Sequence, residues 1–195
     1  MTRIYYDTEF IDSGSHIDLI SIGMVTDTGS EYYAVSNEFS MKNLVRNQWL
    51  LDHVWPSLPQ VRGDVRMRIL ARHRSGSFGS QVRLHEALFD RYDPVVKTRA
   101  EIAVDVHGFI VSVQDPQLWA WYGAYDHVVL AQLFGKMSEL PKGVPMHTCD
   151  LKQECDRLGN PTVPRQESGH HNALADARHN RVVAKYLDRL AGAVR

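Results

Sequence analysis

The sequence predicts an α/β fold with a mixed central β-sheet flanked by α-helices. Three observations predict it. Strand-like runs joined by short turns fill the first 39 residues. Beyond residue 97, helical and strand-like patterns alternate. The 195 residues, 44% of them apolar and 23% charged, suit one domain with a sizeable core. Strands that come first as a meander, then alternate with helices, imply a sheet that mixes antiparallel and parallel pairing.

Residues 3–10 are rich in aromatic and β-branched side chains, as strands are. Ser13-Gly14-Ser15 supplies turn chemistry. Residues 17–25 are nearly continuously apolar, the pattern of a buried central strand. Asp27-Thr28-Gly29-Ser30 is a second turn, and 31–35 the third strand. Connections this short favour an antiparallel meander. A short helix is expected within 47–58, where Trp49, Leu50, Val54, Trp55 and Leu58 are available to pack and Pro56 and Pro59 blur its end.

Residues 60–95 read as a basic insertion in a single domain that spans 1–195. Positions 62–83 hold six arginines (Arg62, Arg66, Arg68, Arg72, Arg74 and Arg83) against one acid, Asp64, although the whole chain has a formal charge of −1. Ser75-Gly76-Ser77-Phe78-Gly79-Ser80 within it has flexible composition. A basic stretch in an otherwise acidic chain suits a phosphodiester substrate, and equally a solvated surface loop.

The next helix starts at a capping box, Thr98-Arg99-Ala100-Glu101, and carries Ile102, Val106, Phe109, Ile110 and Val113 at helical spacing. Asp115-Pro116 stops it. A strand over 118–122 follows. Asp126 then opens a helix with Val129, Leu130, Leu133 and Phe134, closed by Gly135. Residues 145–149 are a short strand candidate, 151–158 a helix ended by Gly159, and 160–169 a polar, proline-bearing loop. The last helix runs over about 172–190.

Carboxylates supply the candidate chemistry. On a strand, Asp7 and Glu9 point the same way, roughly 6–7 Å apart. Like charges at that spacing repel unless a cation lies between them, and hard divalent ions prefer carboxylate oxygens. Alone, such a pair is also common on exposed strand ends. Asp176 shares one helical face with Val183, Leu187 and Leu190, at the head of an apolar stripe where an unpaired carboxylate is costly. Ala173, Ala175 and Ala177 around it permit close helix approach. A dipole-stabilised aspartate is the alternative there, and an ordinary N-cap is the alternative for Asp126. His171, five residues before Asp176, belongs in the loop entering the helix, free to act as a base near neutral pH.

Asp7-Thr8-Glu9-Phe10, the run 121–126 ending in Asp126, and His171-Asn172-Ala173-Leu174-Ala175-Asp176 resemble the three motifs of the DEDD exonuclease superfamily. Asn172 stands where the tyrosine-bearing subclass has its aromatic, so the match is to the histidine-bearing subclass. With 19–23, 31–36 and 118–127 included, the chain is similar to the polyadenylate-specific 3′-exoribonuclease AS group over about 3–58 and 97–190. The resemblance implies an RNase H-like fold, two Mg²⁺ or Mn²⁺ ions held by Asp7, Glu9, Asp126 and Asp176, and His171 as general base. It implies single-stranded, adenylate-containing RNA as substrate, contacted by Thr8, Glu9, Phe10 and His171, and a homodimer. DNA or very short oligonucleotides are the alternative substrates, and a catalytically silent RNA-binding module the alternative role. Trp119 and Trp121 are expected in the core, and Phe10 either in the core or stacked on a terminal base.

The N-terminus lacks the apolar run of a signal peptide, and no apolar stretch reaches the roughly 18–20 residues that span a bilayer. A cytoplasmic location is therefore expected. Cys149 and Cys155, six apart, read as free thiols.

Overall fold

A computed structural model describes residues 1–76 and 78–193. Six strands form one sheet: β1 (Thr2–Asp12), β2 (Ile17–Thr26), β3 (Glu31–Ser36), β4 (Val96–Lys97), β5 (Pro116–Ala120) and β6 (Cys149–Asp150), in the order β4-β3-β2-β1-β5-β6. β1, β2 and β3 are the antiparallel meander. β5 joins β1 in parallel, β6 joins β5 in parallel, and β4 joins β3 in parallel. The sheet is therefore mixed, as the sequence predicts.

The alternation of side chains on β1 and β2, interrupted by one register shift that skips Ile20, divides the core between two faces. Ile4, Tyr6, Ile22 and Met24 point to one face, where α5 (Arg99–Val111) lays down Ile102, Val106 and Ile110 and α6 (Ala124–Gln132) adds Val129 and Leu130. The Thr98–Glu101 capping box is formed at the start of α5. On the other face Ile20 and Val35 meet α1 (Met41–Arg46), α2 (Gln48–His53) and a 3₁₀ turn at Trp55–Ser57, through Leu44, Leu50, Val54 and Trp55. Tyr5 on that face packs with Leu151 of α7 (Leu151–Arg157) and Ala184 of α8 (Ala173–Ala193).

Two helices form where the sequence suggests only a basic insertion: α3 (Gly63–Arg74) and α4 (Gln81–Leu88). The amphipathic patterning of α3 is weak because charged side chains interrupt its apolar face, which hid the helical period. Ser80 caps α4 by accepting the Arg83 N–H, so part of the segment with flexible composition starts a helix; Ser77 lies outside the described residues. The segment leaves and rejoins the domain at one point, where Gln60 bridges Phe89. α4 is anchored by buried Leu84 and Leu88, whereas α3 buries no residue fully. Helix α1, whose N-cap is Ser40, was likewise not foreseen from the sequence. The candidate strand over 145–149 pairs only as the two residues of β6. Both cysteines are free thiols. No described helix is long and apolar enough to cross a membrane.

Candidate active site

Three pieces of backbone bring the carboxylates together, and each has a local cause. β5 pairs with β1 only up to Tyr5. Beyond that point β1 runs on without this neighbour, and the Thr8 N–H donates to Asp126 Oδ1 at 2.8 Å instead of to a strand. The Thr8 hydroxyl donates to the same oxygen at 2.7 Å. Thr8 is thus a buried anchor for Asp126, on the opposite side of the strand from Asp7 and Glu9. A β-bulge between Glu9 and Phe10 then breaks the register of β1 with β2.

Asp126 reaches Thr8 because the chain turns sharply after β5. Tyr122 takes a left-handed φ of 56°, and Gly123 lies so close to Ala120 that a Cβ would sit 2.8 Å from that side chain. α6 therefore begins at once, with a buried Asp126 in its first turn rather than at its N-cap, which is Gly123.

Asp176 depends on a glycine in the neighbouring strand. Asp7 is paired with Gly23 of β2. A Cβ on Gly23 would lie 2.3 Å from the backbone of Ala173, so only glycine lets the first turn of α8 press onto the sheet beside Asp7. Asn180, one turn beyond Asp176, donates to the Tyr6 carbonyl at 3.0 Å. These interactions bracket Asp176 and hold it against β1. Ala173 and Ala177 are fully buried, the close approach that their small side chains allow.

His171 occupies the turn before α8 with a left-handed φ of 60°. Its carbonyl accepts the Ser57 hydroxyl at 2.8 Å. Its Nδ1 stands 3.9 Å from Glu9 Oε1. Trp49 lies edge-on to the imidazole, with ring centroids 4.7 Å apart, and is itself stacked on His53. Ligand-type atoms of Glu9, His171 and Asp176 all lie within 4.8 Å of one another. Asp7, Glu9, Phe10, Asp126, His171 and Asp176 line a single cleft of about 410 Å³. Phe10 is half-buried, packs on the core and stacks on Tyr125 with centroids 6.0 Å apart. Trp119 and Trp121 are partly buried against the α7–α8 side of the core.

Three neighbours of this constellation left no signal in the sequence. Gln166, in the loop before His171, donates to Asp176 Oδ1 at 2.6 Å. Trp49 and His53 reach the imidazole from a helix more than a hundred positions away. Nothing in local spacing links these segments.

Among the described residues no lysine or arginine pairs with Asp7, Glu9, Asp126 or Asp176. Burial raises the Asp7 carboxyl well above the usual range, and Asp126, Glu9 and Asp176 add to it. Burial, with Asp176 and Asp126, pushes Glu9 up to about 8. Burial raises Asp126 to about 6 against the opposing hydrogen bonds from Thr8. Burial also raises Asp176, offset in part by Gln166. His171 is lowered, by burial first and then by His53 and His170, although Asp176 opposes this. The four carboxylates are a hard, all-oxygen donor set short of positive charge, the chemistry that Mg²⁺ and Mn²⁺ fit.

One consequence is measurable without substrate. The raised carboxyls of Glu9 and Asp126 hold protons in the native state that the unfolded chain releases at about pH 4. Their contribution to stability is full below that pH and is lost as pH rises through their folded values, ending near 8 for Glu9. In EDTA the Tm should fall between about pH 5 and about pH 8.5, and Mg²⁺ or Mn²⁺ should raise it more at the higher pH. A Tm in EDTA that climbs over this range would contradict the crowded-carboxylate account.

A family model for the 3′-5′ exoribonuclease Rv2179c-like domain matches residues 80–187. Asp126, His171 and Asp176 lie inside that stretch, and Asp7 and Glu9 precede it. The 3′-5′ exoribonuclease Rv2179c of Mycobacterium tuberculosis H37Rv is 40% identical over 176 residues, 90% of this chain and 87% of that protein. Among solved structures, exonuclease I superposes with a TM-score of 0.54 at 14% identity, covering 98% of this chain and 42% of that one. A metal-free complex of Escherichia coli exonuclease I with single-stranded DNA gives 0.50 at 13% identity, covering 98% and 41%. This chain thus spans less than half of exonuclease I, and that likeness is one of fold, the RNase H-like fold. By its sequence identity and the family match, the chain belongs to the Rv2179c-like 3′-5′ exoribonuclease family.

Proposed function

We propose that this protein shortens single-stranded, adenylate-containing RNA from its 3′ end, releasing 5′-mononucleotides with the help of two divalent cations. The observation that carries this is the convergence of Asp7, Glu9, Asp126, Asp176 and His171 from three separate segments on one cleft. Asp7, Glu9, Asp126 and Asp176 would hold the two Mg²⁺ or Mn²⁺ ions. When bound, such a pair stabilises the charge on the attacking and leaving oxygens of an in-line displacement.

The chain's own groups do the rest. Gln166 holds one oxygen of Asp176 and so orients the other. Thr8 does the same for Asp126. His171, kept neutral by its surroundings, accepts the proton of the attacking water. Phe10, with Tyr125 stacked on it, offers an aromatic wall for the terminal base. Residues 1–195 would form one catalytic domain, with the basic region 60–95 as an addition, acting as a cytoplasmic homodimer.

A time course with 5′-labelled poly(A), poly(U) and a DNA strand, in Mg²⁺ or in EDTA, tests the reading. A ladder of 5′-labelled products shortening from the 3′ end of poly(A), absent in EDTA, is expected. Preferential cleavage of DNA would transfer the same chemistry to another sugar. Binding of RNA with no cleavage in any metal would leave only an RNA-binding module.

A further inference from the structure

We propose that the exposed face of α3 is a docking surface for single-stranded RNA, taking the 5′ portion of a strand whose 3′ end lies in the active-site cleft. This rests on the exoribonuclease reading above.

α3 has two unlike faces. Arg66, Ile69, Leu70 and His73 recur at helical spacing and are half-buried against the domain. Ile69 and Leu70 pack on the core, and Arg66 donates to Gln60 at 2.7 Å. The opposite face presents Met67, Arg68, Ala71, Arg72 and Arg74 to solvent. Asp64, Met67, Arg68, Ala71 and Arg74 line one shallow depression on this face. Met67 is 59% exposed, which a solvated helix does not require.

The charge on this face is uncompensated. Among the described residues Arg62, Arg68, Arg72 and Arg74 have no carboxylate within ion-pair distance, whereas Arg3, Arg157 and Arg178 each pair with an acid. Arg68 and Arg72 are four apart on one helix, where like charges repel. Even Asp64, at favourable spacing from Arg68, forms no ion pair with it. A polyanion relieves this repulsion, and apolar side chains lining the same depression as the guanidinium groups suit a base beside its phosphates.

The N-terminal end of α3 is also tethered to the wall of the cleft. Ser57 holds the His171 carbonyl, the Gln60 amide donates to the Trp55 carbonyl, and Arg66 holds Gln60. The N-terminus of α3 is therefore tied to the segment that supports His171. From there its 12 residues extend about 18 Å, room for several nucleotides. Interactions of this kind go to phosphate and carry no base specificity.

The test compares the wild-type protein with the triple variant R68Q/R72Q/R74Q, all three sites being exposed. Binding of a fluorescein-labelled adenylate strand of about 20 nucleotides is measured by anisotropy in EDTA over a range of salt, and turnover of that strand and of a dinucleotide is measured in Mg²⁺. Every phosphate that goes unneutralised flattens the plot of log K against log salt by about 0.7, so the variant slope should be shallower by about 2. Its affinity for the long strand should fall by about tenfold or more, and its kcat/KM should fall more on the long strand than on the dinucleotide. An unchanged slope, or equal losses on both substrates, would overturn the docking surface while leaving the exoribonuclease reading intact. A changed oligomeric state by light scattering with an unchanged slope would assign the face to a protein interface instead. A wild-type protein that neither binds nor degrades RNA would overturn both readings.

Discussion

Replacing Asp7 with alanine is expected to lower metal-dependent hydrolysis of single-stranded RNA by about a thousandfold or more, the several kcal/mol of charge stabilisation that bound cations supply. Asp7 is the residue on which the other carboxylates converge: burial, Asp126, Glu9 and Asp176 all act on it. The same change removes one ionisable carboxyl from a crowded, buried cluster. In EDTA the Asp7→Asn protein, which keeps the side-chain volume, should therefore melt at or above the wild-type temperature near pH 8. Loss of activity with retained or increased stability is the signature of a site built at the expense of the fold. Full activity in either variant would remove Asp7 from the chemistry. Titration with Mn²⁺, followed by calorimetry, should show weaker binding in both.

His171→Ala is expected to cut kcat by about 10² to 10⁴, the range for a positioned general base, with Mn²⁺ binding nearly unchanged. The geometry makes this a sharp test. The imidazole stands beside Glu9 and within 4.8 Å of the ligand-type atoms of Glu9 and Asp176. It could serve as a base over the cluster or as one of its ligands. Loss of Mn²⁺ binding in the variant would make it a ligand, and unchanged kcat would make it neither. The left-handed backbone at His171 and the Trp49–His53 stack against its ring hold it in place before substrate arrives.

Much of this architecture was legible residue by residue. The meander 3–35 was readable because short turns with Gly and Ser leave adjacent strands no partner but each other. The start of α5 was readable because Thr98 and Glu101 satisfy local backbone donors and need no tertiary partner. α3 was not readable, because its inward face is mixed and its arginines break the apolar period. Among the site residues, Asp7 and Glu9 could be placed on one strand face from the period of two alone. Asp126 was placed at the head of a helix, but nothing local showed that the backbone and hydroxyl of Thr8 hold it.

The sequence by itself determined the meander, the order of strands and helices from α5 onward, the mixed sheet and the identity of the chemical side chains, because these follow from periodicity, caps and turns that act over a few residues. The tertiary structure alone decided that the carboxylates meet. Their convergence depends on Gly23 admitting the backbone of Ala173, on Asn180 gripping Tyr6, and on β5 ending early enough to leave the Thr8 N–H for Asp126. Those interactions join residues up to 174 positions apart, and no local pattern encodes them. Gln166 and Trp49 entered the site for the same reason: packing, not spacing, put them there.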